Sequence, residues 1–148
     1  MSPDQLAFRL DEQANSIAWL VWHLTRVQDD HVADAAHTTQ VWTDGGWFDR
    51  FDLPFEPAAT GYAHGSDDVA AVRATSGLLG AYHDAVAQMT VGYVGRLVDT
   101  DLTRIVDKSW DPPVSLGVRL VSVVSDDLQH LGQAAFIRGV IGRRGAAE

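Results

Sequence analysis

Apolar residues recur at helical spacing in three stretches of the chain. The first opens at Asn15 or Ser16, either of which can cap a helix, and runs to about Asp34 through Ile17, Trp19, Leu20, Val21, Trp22, Leu24 and Val27. Its apolar residues fall on more than one face, which predicts deep burial. The second begins after Ser66, with Asp67 and Asp68 in its first turn, and continues to Leu97 through Val69, Val72, Leu78, Leu79, Tyr82, Val86, Met89 and Tyr93. This spacing of three and four predicts one long amphipathic helix. Asp111, Pro112 and Pro113 then interrupt any helix and Ser115 offers a cap. Leu116, Val118, Leu120, Val121, Val124, Leu128, Leu131, Phe136, Ile137 and Ile141 mark a third helix ending near Gly142.

Between the first two helices, roughly Ala35 to Gly65, lie Trp42, Trp47, Phe48, Phe51, Phe55 and Tyr62. A connection of that length is usually functional or disordered, and its aromatic content argues against disorder. It is expected to form an ordered flap over the bundle. Leu102 to Trp110 carries a weak extended signal at Ile105 and Val106. With no repeat, low-complexity tract or linker, residues 1–148 are expected to form a single all-α domain, an antiparallel helical bundle with its ligand sites between facing helices.

At 148 residues the chain is long enough to bury a core without staples. It has no cysteine, which excludes disulfides, zinc ribbons and a thiol nucleophile of its own. The net charge of −9 argues against nucleic acid and anionic membrane as partners. No signal-peptide pattern and no bilayer-length apolar run is evident, so a soluble cytoplasmic protein is expected.

The chemistry concentrates in His23, Asp126 and His130. Asp126 and His130, four apart on a helix, point to one side a turn apart and can take adjacent positions on one metal ion. His23 sits in an apolar helix where an imidazole needs a partner. Taken singly, the Asp/His pair also reads as a helix-stabilising pair and His23 as a hydrogen-bonded core histidine. Asp127 competes with Asp126, because i, i+3 is also a contact spacing. Asp30, seven residues after His23, either orients a site group or forms a surface salt bridge. Gln133 is a candidate outer partner, while Arg138 is a candidate anion anchor or a structural ion pair. Trp42 and Trp47 divide between packing and pocket lining. His31, His37, His64 and His83 read as ordinary solvated histidines.

The segments NSIAWLVWHLTRVQDDHV, GWFDRFDLP and WDPPVSLGVRLVSVVSDDLQHLGQAAFIRG resemble the DinB-like superfamily. Within it they are most similar to actinobacterial members of the mycothiol-dependent branch, which includes mycothiol S-transferases and the metal-binding domain of maleylpyruvate isomerase. The resemblance implies a four-helix bundle holding a divalent metal through His23, Asp126 and His130. Asp126 stands where the mycothiol enzymes carry Glu, one methylene longer. MSPDQLAFRLDEQ resembles the loop before the family's second helix, so the first helix is expected to be lacking or truncated. The apolar groove this leaves predicts either a homodimer or a natural start further upstream.

The implied activity is thiol transfer: a bound metal holds a small thiol as its thiolate for attack on an electrophile such as a xenobiotic. Mycothiol is the thiol by resemblance. Zinc is the first expectation for the ion, with nickel, iron and manganese also suited to the ligands. The electrophile is expected under the flap near Trp42, Trp47 and Phe48. Two alternatives stand beside this: an isomerase or hydrolase of a small organic acid anchored by Arg50, Arg119 or Arg138, and a non-enzymatic metal-binding or assembly scaffold.

Overall fold

The computed structural model describes residues 1–144; the last four residues of the domain expected over 1–148 lie outside the described residues. In chain order the elements are α1 (Pro3–Ala7), α2 (Ile17–Ala36), α3 (Val41–Asp44), α4 (Trp47–Phe51), α5 (Ser66–Ala71), α6 (Ser76–Val94), a 3₁₀ turn (Asp99–Thr103), β1 (Ile105–Asp107), β2 (Val114–Ser115) and α7 (Leu116–Arg144). β1 and β2 form a small antiparallel pair leading into α7. The central element is α2, which packs against both α6 and α7. Ser16 starts it, its Oγ accepting from the Trp19 N–H at 3.1 Å, and His37 ends it in a left-handed conformation. Ile17, Leu20, Trp22 and Val32 are all buried, as apolar residues on several faces of one helix require.

The stretch after Ser66 is two helices rather than one. α5 stops at Ala71, and Thr75 starts α6 by accepting from the Leu78 N–H at 3.1 Å. Val72 and Ala74 in the connector are buried, so a continuous apolar pattern spans a real break. α6 ends at Val94, short of Leu97, because Leu97 turns toward the 3₁₀ segment; α7 continues two residues past Gly142. The expected extended piece is confined to Ile105–Asp107.

At the N-terminus α1 is a single short helix, closed by a Ser2/Gln5 capping box. The following loop is pinned by Arg9, whose guanidinium donates to the carbonyls of Ala14, Glu12 and Ser66. Among the described residues no long helix therefore covers one side of the bundle. Val91 on α6 and Val121, Val124, Leu128 and Leu131 on α7 are more than half exposed, and Leu128 and Leu131 line an apolar groove with Val21 and Leu24, as expected when the first helix is short.

The flap is ordered, and a buried polar cluster holds it. Asp29 and Arg26 on α2 are both fully buried. Asp29 accepts from the backbone N–H groups of Val41 and Trp42 at 2.9 and 2.7 Å, capping α3 from outside, and from the Tyr82 hydroxyl at 2.9 Å. Burial raises the Tyr82 pKa, so the phenol keeps the proton it donates. Arg26 donates to the Ala59 carbonyl at 3.1 Å and to Gln40 at 2.9 Å, with its guanidinium 5.0 Å from the Trp42 ring centroid. Both ends of the flap are thus tied to one helix turn. Replacing Asp29 by Ala leaves a buried cation, a phenol and two amides without their acceptor, and is expected to cost roughly 3–5 kcal/mol by urea denaturation, with Asp29→Asn costing less. A loss below about 1 kcal/mol for Asp29→Ala contradicts this role.

Candidate metal centre

His23 on α2 and Asp126 and His130 on α7 come together, with one ligand atom from each within 4.8 Å of the other two. The rings of His23 and His130 meet edge to face at 4.9 Å, and Trp19 stacks on His23 at 4.5 Å. Packing on both sides leaves the His23 ring little freedom. His23 Nδ1 donates to the Thr60 carbonyl at 2.5 Å, and His130 Nδ1 donates to Gln133 Oε1 at 3.1 Å. Both rings therefore present an unprotonated Nε2, and that of His130 lies 3.6 Å from Asp126 Oδ1. Burial, the largest influence, lowers the His23 pKa and favours the neutral ligand form.

The Thr60 carbonyl reaches His23 because of Gly61. Its φ is +96°, and a Cβ there would stand 2.6 Å from His23 Nδ1. Asp126 Oδ2, like Asp127 Oδ1, is buried with no hydrogen-bond partner, and a carboxylate oxygen of that kind beside two imidazoles suits a cation. Two imidazole nitrogens and a carboxylate oxygen are donors that zinc and its first-row neighbours accept. The residues fit a divalent metal. Asp126 faces His130, whereas Asp127 lies in the apolar groove with Val21, Leu24, Leu128 and Leu131; burial and the neighbouring Asp126 push its pKa up to about 6. That geometry favours Asp126 over Asp127 as the ligand.

A cavity of about 460 Å³ reaches two of the three, lined by His23 and Asp126 together with Asp30, His31, Trp110 and Arg119. Asp30 accepts from Gln40 at 2.7 Å, and so links the cavity to the buried cluster beneath the flap. Trp42, Trp47 and Phe48 are not lining residues. Trp42 and Trp47 are buried against Tyr82, and Phe48 packs on Trp42, because Asp29 draws the start of α3 inward. Arg138 is exposed on α7 outside the cavity lining, and Arg50 stacks on Trp47. Two histidines also differ from expectation. His64 is partly buried, accepts from Trp19 Nε1 at 3.2 Å and stacks on Trp22, while His31 lines the cavity. Burial and then Arg119 lower the His31 pKa.

Part of this lining was visible in the register: Asp30 is seven residues after His23 and Arg119 seven before Asp126, two turns along the same faces. Thr60, Tyr62 and Trp110 come from segments outside the long helices, where no periodicity points to them.

A family model described as mycothiol S-transferase matches residues 1–142. Three chains of solved structures match; one, a conserved protein from Enterococcus faecalis, has a TM-score of 0.87 at 29% identity, covering 93% of this chain and 82% of that one. No curated protein matches the chain. With the helical fold and the His/Asp/His cluster in place, the match over nearly the whole sequence means that the chain belongs to the mycothiol S-transferase family, within the DinB-like superfamily.

Proposed function

We propose that the protein is a divalent-metal-dependent S-transferase that joins a small thiol, mycothiol by family, to an electrophile. The observation that carries this reading is the convergence of His23, Asp126 and His130, with the Asp126 Oδ2 atom buried and unpartnered, beside a cavity that His23 and Asp126 line. A divalent ion held there, zinc in the first instance and nickel, iron or manganese as alternatives, would supply the positive charge that keeps a thiol ionised at neutral pH. The chain contributes no thiol, so the sulfur enters as substrate. His23 and His130 offer fixed lone pairs; Thr60 and Gln133 hold their Nδ1 protons. The cavity above the trio receives the electrophile. Small molecules are the partners, and no helix among the described residues is long and apolar enough to cross a membrane. We place the activity in the cytoplasm. Arg119 in the lining favours a second reading, an isomerase or hydrolase acting on a small organic acid.

Purified protein supplied with zinc is expected to consume mycothiol in the presence of a generic electrophile such as monochlorobimane. Asp126→Ala and His130→Ala are expected to lose both bound metal and this activity while keeping their helical circular dichroism. Full activity in both variants would exclude the proposal.

The orienting contacts give a graded prediction. Gln133→Ala frees the His130 ring and is expected to weaken zinc binding by about 10–100-fold in a chelator competition, with the fold intact. Gly61→Ala forces the loop away from His23 at a position already in left-handed backbone, and is expected to cost about 1–3 kcal/mol of stability as well as metal affinity. Unchanged zinc affinity in both variants contradicts the roles given to Thr60 and Gln133.

A further inference from the structure

Two aromatic side chains beside the metal ligands, Trp19 and His64, line no part of the cavity. Trp19 is buried in the first turn of α2, one turn before His23. Its indole lies nearly parallel to the His23 ring, with centroids 4.5 Å apart and 16° between the planes, and stands edge-on to the His130 ring at 6.2 Å and 87°. A single indole therefore touches an imidazole on each wall of the site. The helix puts residues 19 and 23 on one face, but the tilt of an indole about its own side-chain bonds is not a property of the helix.

That tilt is held by His64. Its Nδ1 accepts from Trp19 Nε1 at 3.2 Å, which leaves the His64 proton on Nε2. His64 is itself clamped: its ring stacks on Trp22 at 5.7 Å and 18°, it meets Phe55 at 4.5 Å, and its backbone N–H donates to the Gly61 carbonyl at 3.2 Å. Gly61 and Ala63 have φ of +96° and +62°, and the tight turn they make serves His23 twice. It delivers the Thr60 carbonyl to the edge of the His23 ring and, four residues on, the His64 lone pair to the indole that covers the face of that ring.

Packing alone does not account for a histidine at this position. A leucine would also fill space between Trp22 and Phe55, and the core does not insist on an acceptor for every indole, since Trp22 and Trp42 bury their Nε1 atoms without one. The acceptor is supplied to the tryptophan that touches both imidazoles.

We propose that His64 is a positioning residue for the metal centre: through Trp19 it fixes the planes of the His23 and His130 rings, and so the directions of their Nε2 lone pairs. The proposal rests on the metal-binding half of the function proposed above, and not on the thiol or the electrophile. His64 itself lies outside the ligand trio and acts without touching the ion.

The test measures zinc affinity by chelator competition, the visible absorption of the cobalt-loaded protein and the urea stability of the metal-free protein. These are compared in wild type, His64→Leu, His64→Asn, Trp19→Phe and the His64→Leu/Trp19→Phe double variant. Aromatic geometry of this kind corresponds to about two- to tenfold in an equilibrium constant, so His64→Leu is expected to weaken zinc binding by that factor and to alter the cobalt bands. His64→Asn, whose carboxamide oxygen stands where Nδ1 does, is expected to recover the wild-type affinity and spectrum. Because the effect runs through the indole N–H, His64→Leu is expected to change neither in the Trp19→Phe background. Should His64→Leu fail to fold, His64→Gln takes its place: the acceptor then lies one bond further out, where Nε2 stands, and the same loss is expected. Reduced urea stability with unchanged zinc affinity and cobalt spectrum assigns His64 to the core and overturns the proposal, as does a loss of affinity that is equal with and without the Trp19 indole. Wild-type protein that binds neither ion removes the metal-binding reading itself, and this proposal with it.

Discussion

The placement of the whole site depends on one buried carboxylate. Asp29 gathers two backbone amides, a phenol and, at 3.7 Å, the Arg26 guanidinium on the inner face of α2. A carboxylate and a guanidinium with no solvent access are costly to desolvate, and the cost is offset only when nearly every lone pair and proton finds a partner. Here most of those partners lie in the flap and on α6, with Arg26 Nη2 alone of the guanidinium nitrogens left without one, so satisfying the charges fixes the segment between α2 and α5. Arg26 extends the constraint to Ala59, and the next carbonyl, that of Thr60, holds the Nδ1 proton of His23. A structural ion pair one turn from the site thereby sets which nitrogen of His23 faces Asp126 and His130.

The opposite wall is simpler. On α7 the ligand spacing and the orienting Gln133 all come from one continuous helix, so their geometry follows from helical rise and twist alone. The two walls leave an unpartnered carboxylate oxygen between them, and an apolar helical core to which Asp126 contributes no stabilising hydrogen bond. Local disfavour of this kind is what a binding site looks like when its ligand supplies the missing contacts.

What could be read from the sequence follows the same division. The long helices, the cap at Ser16 and the Asp126/His130 pair were legible because they obey local periodicity and spacing, whereas His23 joined them only through the resemblance to the DinB-like superfamily. The break between α5 and α6 was not, since Val72 and Ala74 are buried in a connector that preserves the apolar rhythm. Trp42 and Trp47 drew attention as pocket residues because they sit in a long aromatic-rich connection, but the start of α3 is drawn inward by Asp29, twelve positions before Val41, and both rings pack on Tyr82. The same reason hid Tyr62 and Trp110, whose convergence depends on how two separate loops are anchored. His31 and His64 were misread for want of a partner visible in sequence; Arg119 and Trp19 supply those partners only in the folded chain.

The central claim is that both imidazoles and the Asp126 carboxylate hold one ion and leave it accessible to an external thiol. X-ray absorption at the zinc edge, on zinc-loaded protein before and after addition of a thiol, tests it most directly. The account predicts a first shell of nitrogen and oxygen with the multiple-scattering signature of two imidazoles, joined by one sulfur when thiol is added. A spectrum without imidazole, or one that gains no sulfur at saturating thiol, would contradict it.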